Sequence, residues 1–119
     1  MKKVLVVDDE PAILMSLDFL MKKEGYKVFI ARDGEEALKI IRKEVPDLIV
    51  LDIMMPNVDG YEVCKYVKTT DEFKDIKVIF LSAKTKQSDI DKGYALGADD
   101  YMVKPFSTKE LVKRVKQLL

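Results

Sequence analysis

An α/β fold with a doubly wound parallel sheet is what this chain of 119 residues predicts, on three observations. Short apolar runs alternate with amphipathic helical patterns five times. The two middle runs, Leu48–Leu51 and Val78–Leu81, show no polar alternation, as strands covered on both faces do. Capping residues, Gly and Pro punctuate the boundaries. Strict strand–helix alternation over five units implies a parallel sheet with helices on both faces.

The elements follow in order. Lys3–Val7 opens as a β-favouring run, and Ile13, Leu14, Leu17, Leu20 and Met21 then recur at helical spacing up to Gly25. Val28–Ala31 is the second predicted strand, followed by a helix with Ala37, Leu38, Ile41 and Val45 on its apolar face and Pro46 at its end. Leu48–Leu51 is the third strand, and Val63, Cys64 and Val67 mark the third helix. Val78–Leu81 and Tyr101–Val103 are the fourth and fifth strands. Between them a weaker helix near Ser88–Leu96 shows Ile90 and Tyr94 as its apolar residues, contains Gly93 and stops at Gly97. Leu111, Val112, Val115, Leu118 and Leu119 mark the last helix. Asp33, Asp59 and Ser107 each precede a Glu by three residues, the pattern of a helix N-cap. No linker or repeat divides the chain, so one domain over residues 1–119 is expected.

Bulk composition excludes several function classes. Lys+Arg and Asp+Glu number 21 each, so no overall field favours nucleic acid or an anionic membrane, and a charged site must be local. No apolar run approaches the roughly 20 residues that span a bilayer. Cys64 is the single cysteine, which rules out an internal disulfide and suits a reducing cytoplasm; its helical position predicts inert packing. With no histidine, imidazole base catalysis, imidazole metal ligation and phosphohistidine chemistry are all unavailable.

Ligands of open parallel sheets bind beyond the carboxyl ends of the strands. The residues there are Asp8, Asp9 and Glu10 after the first strand, Asp52 after the third, Ser82 after the fourth, and Lys104 and Pro105 after the fifth. Neighbouring strands lie about 4.8 Å apart, so acids ending the first and third must crowd together. Two carboxylates about 4 Å apart repel by roughly 4 kcal/mol at an effective dielectric of 20. Lys104 offsets part of this, and a hard divalent cation with oxygen ligands, Mg²⁺, fits the remainder. The set suits phosphoryl transfer, which needs positioning and charge neutralisation. Asp52 is then the candidate nucleophile; Asp8, Asp9, Asp52 and the Met54 carbonyl are candidate metal ligands; Lys104 and Ser82 are candidate partners of the phosphoryl oxygens.

Each residue also has an ordinary reading. Asp8 or Asp9 caps the first helix beside Pro11, Asp52 is a turn residue, Ser82 a loop hydroxyl and Lys104 a solvated lysine. The joint pattern at four strand ends favours the chemistry. Two other functions fit less well. An aspartate-nucleophile phosphatase would want a second aspartate two positions after the nucleophile, where Met54 stands. A flavin or nucleotide site would want a Gly- or Ser/Thr-rich loop after the first strand, where Asp8, Asp9 and Glu10 repel phosphate unless metal intervenes.

Val4–Pro11, Leu51–Gly60, Leu81–Ala83 and Gly97–Phe106 together resemble the receiver domain of bacterial two-component response regulators, over essentially the whole chain. The resemblance implies a flavodoxin-like fold with strand order 2-1-3-4-5 and phosphotransfer from a sensor histidine kinase or phosphotransfer protein in a Mg²⁺-dependent reaction. It implies that Asp52 is the phosphoacceptor, that Asp8 and Asp9 are the acidic pair, and that Ser82 and Tyr101 are the switch positions. It further implies that Lys104 precedes a cis Pro105, and that Met54 and Lys84 occupy positions that tune phosphoryl lifetime. The chain is then a cytoplasmic switch that acts only on itself, touching neither nucleic acid nor membrane directly, and either stands alone or is a fragment of a longer regulator.

Phosphorylation adds up to about two negative charges, toward which Ser82 would move while Tyr101 fills the vacated space. Gly93, costing the fourth helix about 1 kcal/mol relative to Ala, suits a bistable element. The last third is similar to receivers joined to winged-helix DNA-binding domains. By that resemblance Asp99, Asp100, Glu110 and Arg114 stand where charges support a homodimer through helix 4, strand 5 and helix 5, with Ile90 where a basic residue is common.

Overall fold

The structure is a computed structural model and describes residues 1–119. Its elements are β1 (Lys3–Val7), α1 (Pro11–Lys23), β2 (Lys27–Ala31), α2 (Gly34–Glu44), β3 (Leu48–Leu51), α3 (Gly60–Thr69), β4 (Lys77–Ser82), α4 (Gln87–Ala95), β5 (Asp100–Val103) and α5 (Thr108–Leu118). All neighbouring strands pair in parallel, in the order β2-β1-β3-β4-β5. This is the flavodoxin-like arrangement expected above.

Alternation along the strands splits the core in two. Leu5, Val7, Ile49, Leu51, Val78 and Phe80 face Ala37 and Ile41 of α2 and Val63, Cys64 and Val67 of α3. Val4, Val6, Leu48, Val50, Ile79 and Leu81 face Leu14, Leu17 and Met21 of α1 and Leu111 and Val115 of α5. Each fully buried aliphatic side chain contributes about 2 kcal/mol of transfer free energy, so burial on both faces explains the uninterrupted apolar runs. Cys64 is wholly buried, and burial pushes its thiol up to about 11, so packing is its role.

The predicted caps form. Asp33 accepts the Glu36 amide at 2.8 Å, Asp59 the Glu62 amide at 2.9 Å and Ser107 the Glu110 amide at 3.2 Å. The strands run slightly beyond the expected bounds, because Lys27, Lys77, Ser82 and Asp100 join the ladders although their side chains are polar. Helix α2 stops in a left-handed Val45 just ahead of Pro46. No helix is long and apolar enough to cross a membrane.

Gly93 differs from its sequence reading. A Cβ there would stand 3.1 Å from the Phe80 ring and 3.2 Å from the Tyr101 ring, so the residue permits close approach of α4 to the core. Tyr94, expected on the apolar face, is 46% exposed, and its hydroxyl lies 3.3 Å from the Asp100 carboxylate.

Candidate functional site

Strand register builds the site. Val7 pairs with Leu51, so the next residues, Asp8 and Asp52, leave adjacent strands side by side. Their main chains extend the ladder, with the Asp8 amide donating to Ala31 and the Asp52 amide to Val7. Ser82 pairs with Val103, and the Lys104 amide donates to the Ser82 carbonyl at 2.8 Å. Gly60 closes the back of the site. A Cβ on it would collide with the Asp52 carbonyl oxygen, and its amide donates to the Ile53 carbonyl, so only glycine lets α3 start against this loop.

The charges converge as expected. Lys104 lies 2.7 Å from Asp8, 3.7 Å from Asp52 and 3.6 Å from Glu10. Its side chain is 11% exposed, which sets aside the solvated-lysine reading. Asp8 and Asp52 are 1% and 5% exposed. Asp8 does not cap α1: its carboxylate accepts the amide of Glu10, and the N-cap residue Glu10 makes no side-chain capping bond. Asp9 is exposed and lines a cleft of about 520 Å³ together with Met54 and Lys84.

Electrostatics follow from burial and crowding. Burial, and next the Asp8 charge, push the Asp52 carboxyl from its ordinary 3.8 to about 6, against the pull of Lys104 and the Ile53 amide. Burial works to lower the Lys104 ammonium, but the Asp8 hydrogen bond and the charges of Asp52, Asp8 and Glu10 outweigh it and raise its pKa. The two Asp52 oxygens are unlike. Oδ1 accepts the Ile53 amide at 2.8 Å, whereas Oδ2 has only the longer ionic contact to Lys104. Every fully enclosed polar side-chain atom has a hydrogen-bond partner, so Oδ2 opens toward solvent.

Ligand atoms of Asp8, Asp9 and Glu10 lie within 4.8 Å of one another. Lys104 meets Asp8 and Glu10 of this group and, outside it, Asp52, so one ammonium faces three carboxylates with Asp9 nearby, an all-oxygen, net-negative donor set that fits a hard divalent cation. Glu10 is the member sequence reasoning left without a role. Its position next to Asp9 was the only signal for it.

The residues expected at the switch positions also meet. The Ser82 hydroxyl, fully buried, accepts the Lys84 amide at 3.2 Å, and the Tyr101 hydroxyl donates to the Lys84 carbonyl at 2.9 Å. The Tyr101 ring is 7% exposed and so lies inside. The Lys104–Pro105 bond is cis. The charges assigned above to a dimer face are occupied within the chain. Asp99 binds Lys68 at 3.0 Å and the Val78 amide at 2.8 Å, while Arg114 binds Asp100 at 2.9 Å and Glu110 at 3.1 Å.

Comparison with known proteins agrees with this fold. The family model described as "Response regulator receiver domain" matches residues 4–116. The chemotaxis response regulator CheY4 of Vibrio cholerae is 34% identical with a TM-score of 0.93, covering 100% of this chain and 99% of that chain. The response regulator protein TrrA of Thermotoga maritima, solved in complex with Mg²⁺ and BeF, is 43% identical with a TM-score of 0.88, covering 100% of both chains. A BeF₃-activated DrrB receiver domain is 35% identical with a TM-score of 0.91, covering 99% of this chain and 97% of that chain. The chain belongs to the response regulator receiver domain family.

Proposed function

We propose that Asp52 is the phosphoacceptor of this receiver. The observation that carries the reading is the asymmetry of its carboxylate, with Oδ1 engaged by the Ile53 amide and Oδ2 open beside Lys104. Oδ2 attacks phosphorus, forming an O–P bond as the bond between phosphorus and the donor's nitrogen or oxygen breaks, and the leaving group departs with that electron pair. The donor is a phosphohistidine of a sensor kinase or phosphotransfer protein, or a small acyl phosphate. Lys104, already within ionic reach of Asp52, pairs with a phosphoryl oxygen, and the Ser82 hydroxyl donates to another. The chain makes and breaks bonds only at its own carboxylate.

Asp8, Asp9, Asp52 and the Met54 carbonyl are the proposed ligands of Mg²⁺, supported by the crowding of Asp8 and Asp9, by the position of Asp52 beside Asp8 at adjacent strand ends, and by the Mg²⁺–BeF complex of TrrA. When bound, Mg²⁺ neutralises charge on the phosphoryl oxygens. Asp9→Ala is expected to weaken Mg²⁺ binding by about tenfold or more, the scale of losing one charged ligand of a few. Titration followed by calorimetry measures this; an unchanged affinity would remove Asp9 from the set.

Incubation with acetyl phosphate and Mg²⁺ is expected to add one phosphoryl group, visible by intact mass and labile to hydroxylamine. A label that survives hydroxylamine, or that forms equally in EDTA, would sink the assignment.

A homodimer through α4, β5 and α5 is the partner reading that follows from phosphorylation. It must draw on Asp100, Glu110 and Arg114 exchanging partners, since Asp99 is spent on Lys68 and the Val78 amide. Sedimentation of the phosphorylated chain should show a heavier species than the unmodified chain; a monomer at high concentration would refute it.

A further inference from the structure

Helix α4 has little of its own to hold its first turn. Its N-cap residue, Lys86, makes no side-chain hydrogen bond, and Gly93 is its one buried residue. Two tyrosines from different elements supply the hold. Tyr101 of β5 donates its hydroxyl to the Lys84 carbonyl at 2.9 Å, and Tyr61 of α3 donates to the Asp89 carbonyl at 3.0 Å. They grip the segment at its two ends.

Phe80 stands between the two rings, edge-on to Tyr61 at 5.7 Å and tilted against Tyr101 at 5.9 Å. Gly93 of α4 rests on Phe80 and Tyr101, and the Lys92 ammonium lies 4.3 Å from the Tyr61 ring centroid. A Lys84–Asp89 ion pair at 3.8 Å ties the gripped ends together.

Tyr61 also adjoins the site. Its predecessor, Gly60, sits directly against the Asp52 carbonyl and donates its amide to Ile53. A shift of the Asp52 main chain therefore meets the first turn of α3 with no slack between them. Resting on the reading of Asp52 as phosphoacceptor, we infer that Tyr61 is a second positioning residue of the switch. It carries movement at the Asp52 loop through the start of α3 to the start of α4. The path runs beside the one from Ser82 through Lys84 to Tyr101, and the two share only the Phe80 ring and the segment they hold.

Tyr61→Phe keeps the ring and its contacts with Phe80 and removes one hydrogen bond, so the chain is expected to fold. Hydrogen–deuterium exchange of the full chain tests the role, in EDTA and with Mg²⁺ plus beryllofluoride, for wild type, Tyr61→Phe, Tyr101→Phe and the double variant. Loss of one hydrogen bond should speed exchange across 88–92 by about fivefold. The change that beryllofluoride induces there should shrink by about half or more in Tyr61→Phe, because a coupling has been cut. In the double variant the residual change should fall further than in either single one. Equal exchange in Tyr61→Phe and wild type would overturn the inference. So would a speeding by the same factor in both states, which a merely structural contact would give. Acetyl phosphate labelling is read on the same samples: failure to label wild type would overturn the Asp52 assignment and the inference with it, whereas labelling with unaltered exchange overturns the inference alone.

Discussion

Asp52→Asn is expected to abolish hydroxylamine-labile labelling by acetyl phosphate and, in the same molecule, to stabilise the metal-free fold. Both effects come from one carboxylate. The folded state holds the Asp52 proton up to about 6, against 3.8 ordinarily, with burial and then Asp8 as the causes. Below the lower value both folded and unfolded chains carry the proton, and ionisation costs folding nothing. As pH rises between the two values the unfolded chain releases its proton first, so stability falls; above about 6 the penalty is complete. A shift of this size corresponds to about 3 kcal/mol. Asparagine does not ionise and escapes the penalty. Urea denaturation in EDTA should therefore find the variant more stable by about 3 kcal/mol near pH 7.5, with the gap closing toward about pH 4. Undiminished labelling of the variant would show that Asp52 is not the acceptor. A gap independent of pH would show that crowding of the carboxylate is not what burdens the fold.

Lys104→Met is expected to have the opposite sign. Methionine matches much of the lysine stem, so the packing survives and the charge does not. Asp8, 1% exposed, loses its 2.7 Å partner, and Asp52 loses the one cation near its open oxygen. Removing one member of a buried pair and leaving the other charged typically costs 3–5 kcal/mol, so a loss of about 3 kcal/mol in EDTA is expected. Mg²⁺ should restore part of it by supplying the missing positive charge, and so should a pH below about 6, which protonates Asp52. Equal stability of variant and wild type in EDTA would mean that solvent, and not Lys104, carries these charges. Glu10, 62% exposed at 3.6 Å from Lys104, should matter little to this balance.

The sheet was legible because burial on both faces leaves an unmistakable mark, four consecutive apolar residues in each of β1, β3 and β4. Where a strand begins with a charged residue, as at Lys27, Lys77 and Asp100, the backbone still pairs but side-chain polarity hides it. The positions of Asp8, Asp9, Asp52, Ser82 and Lys104 were readable from topology alone, since a parallel sheet delivers all its strand ends to one edge. Contacts between distant elements left no trace. Tyr61 reaches a backbone carbonyl 28 residues away, and any residue at position 89 would offer one. Gly93 looked like a weakness in α4 because sequence shows what a residue lacks and not what stands against it. Asp99 was assigned outward by resemblance, yet its carboxylate is the cap of the Val78 amide and the counterion of Lys68.

That last knot has a mechanical meaning. Lys68 draws together the Ile76 carbonyl at 2.7 Å and the Asp99 carboxylate at 3.0 Å, and its stem packs against Gly97 just beyond α4. The far end of α4 is thereby riveted to the sheet, while its near end hangs from two phenol groups. A rod fastened in this way is expected to move as a door does, pivoting about one jamb. A displacement passed from the acidic edge would act at the swinging side, where Tyr61 and Tyr101 hold the chain, while the Lys68 contacts resist it at the hinge side.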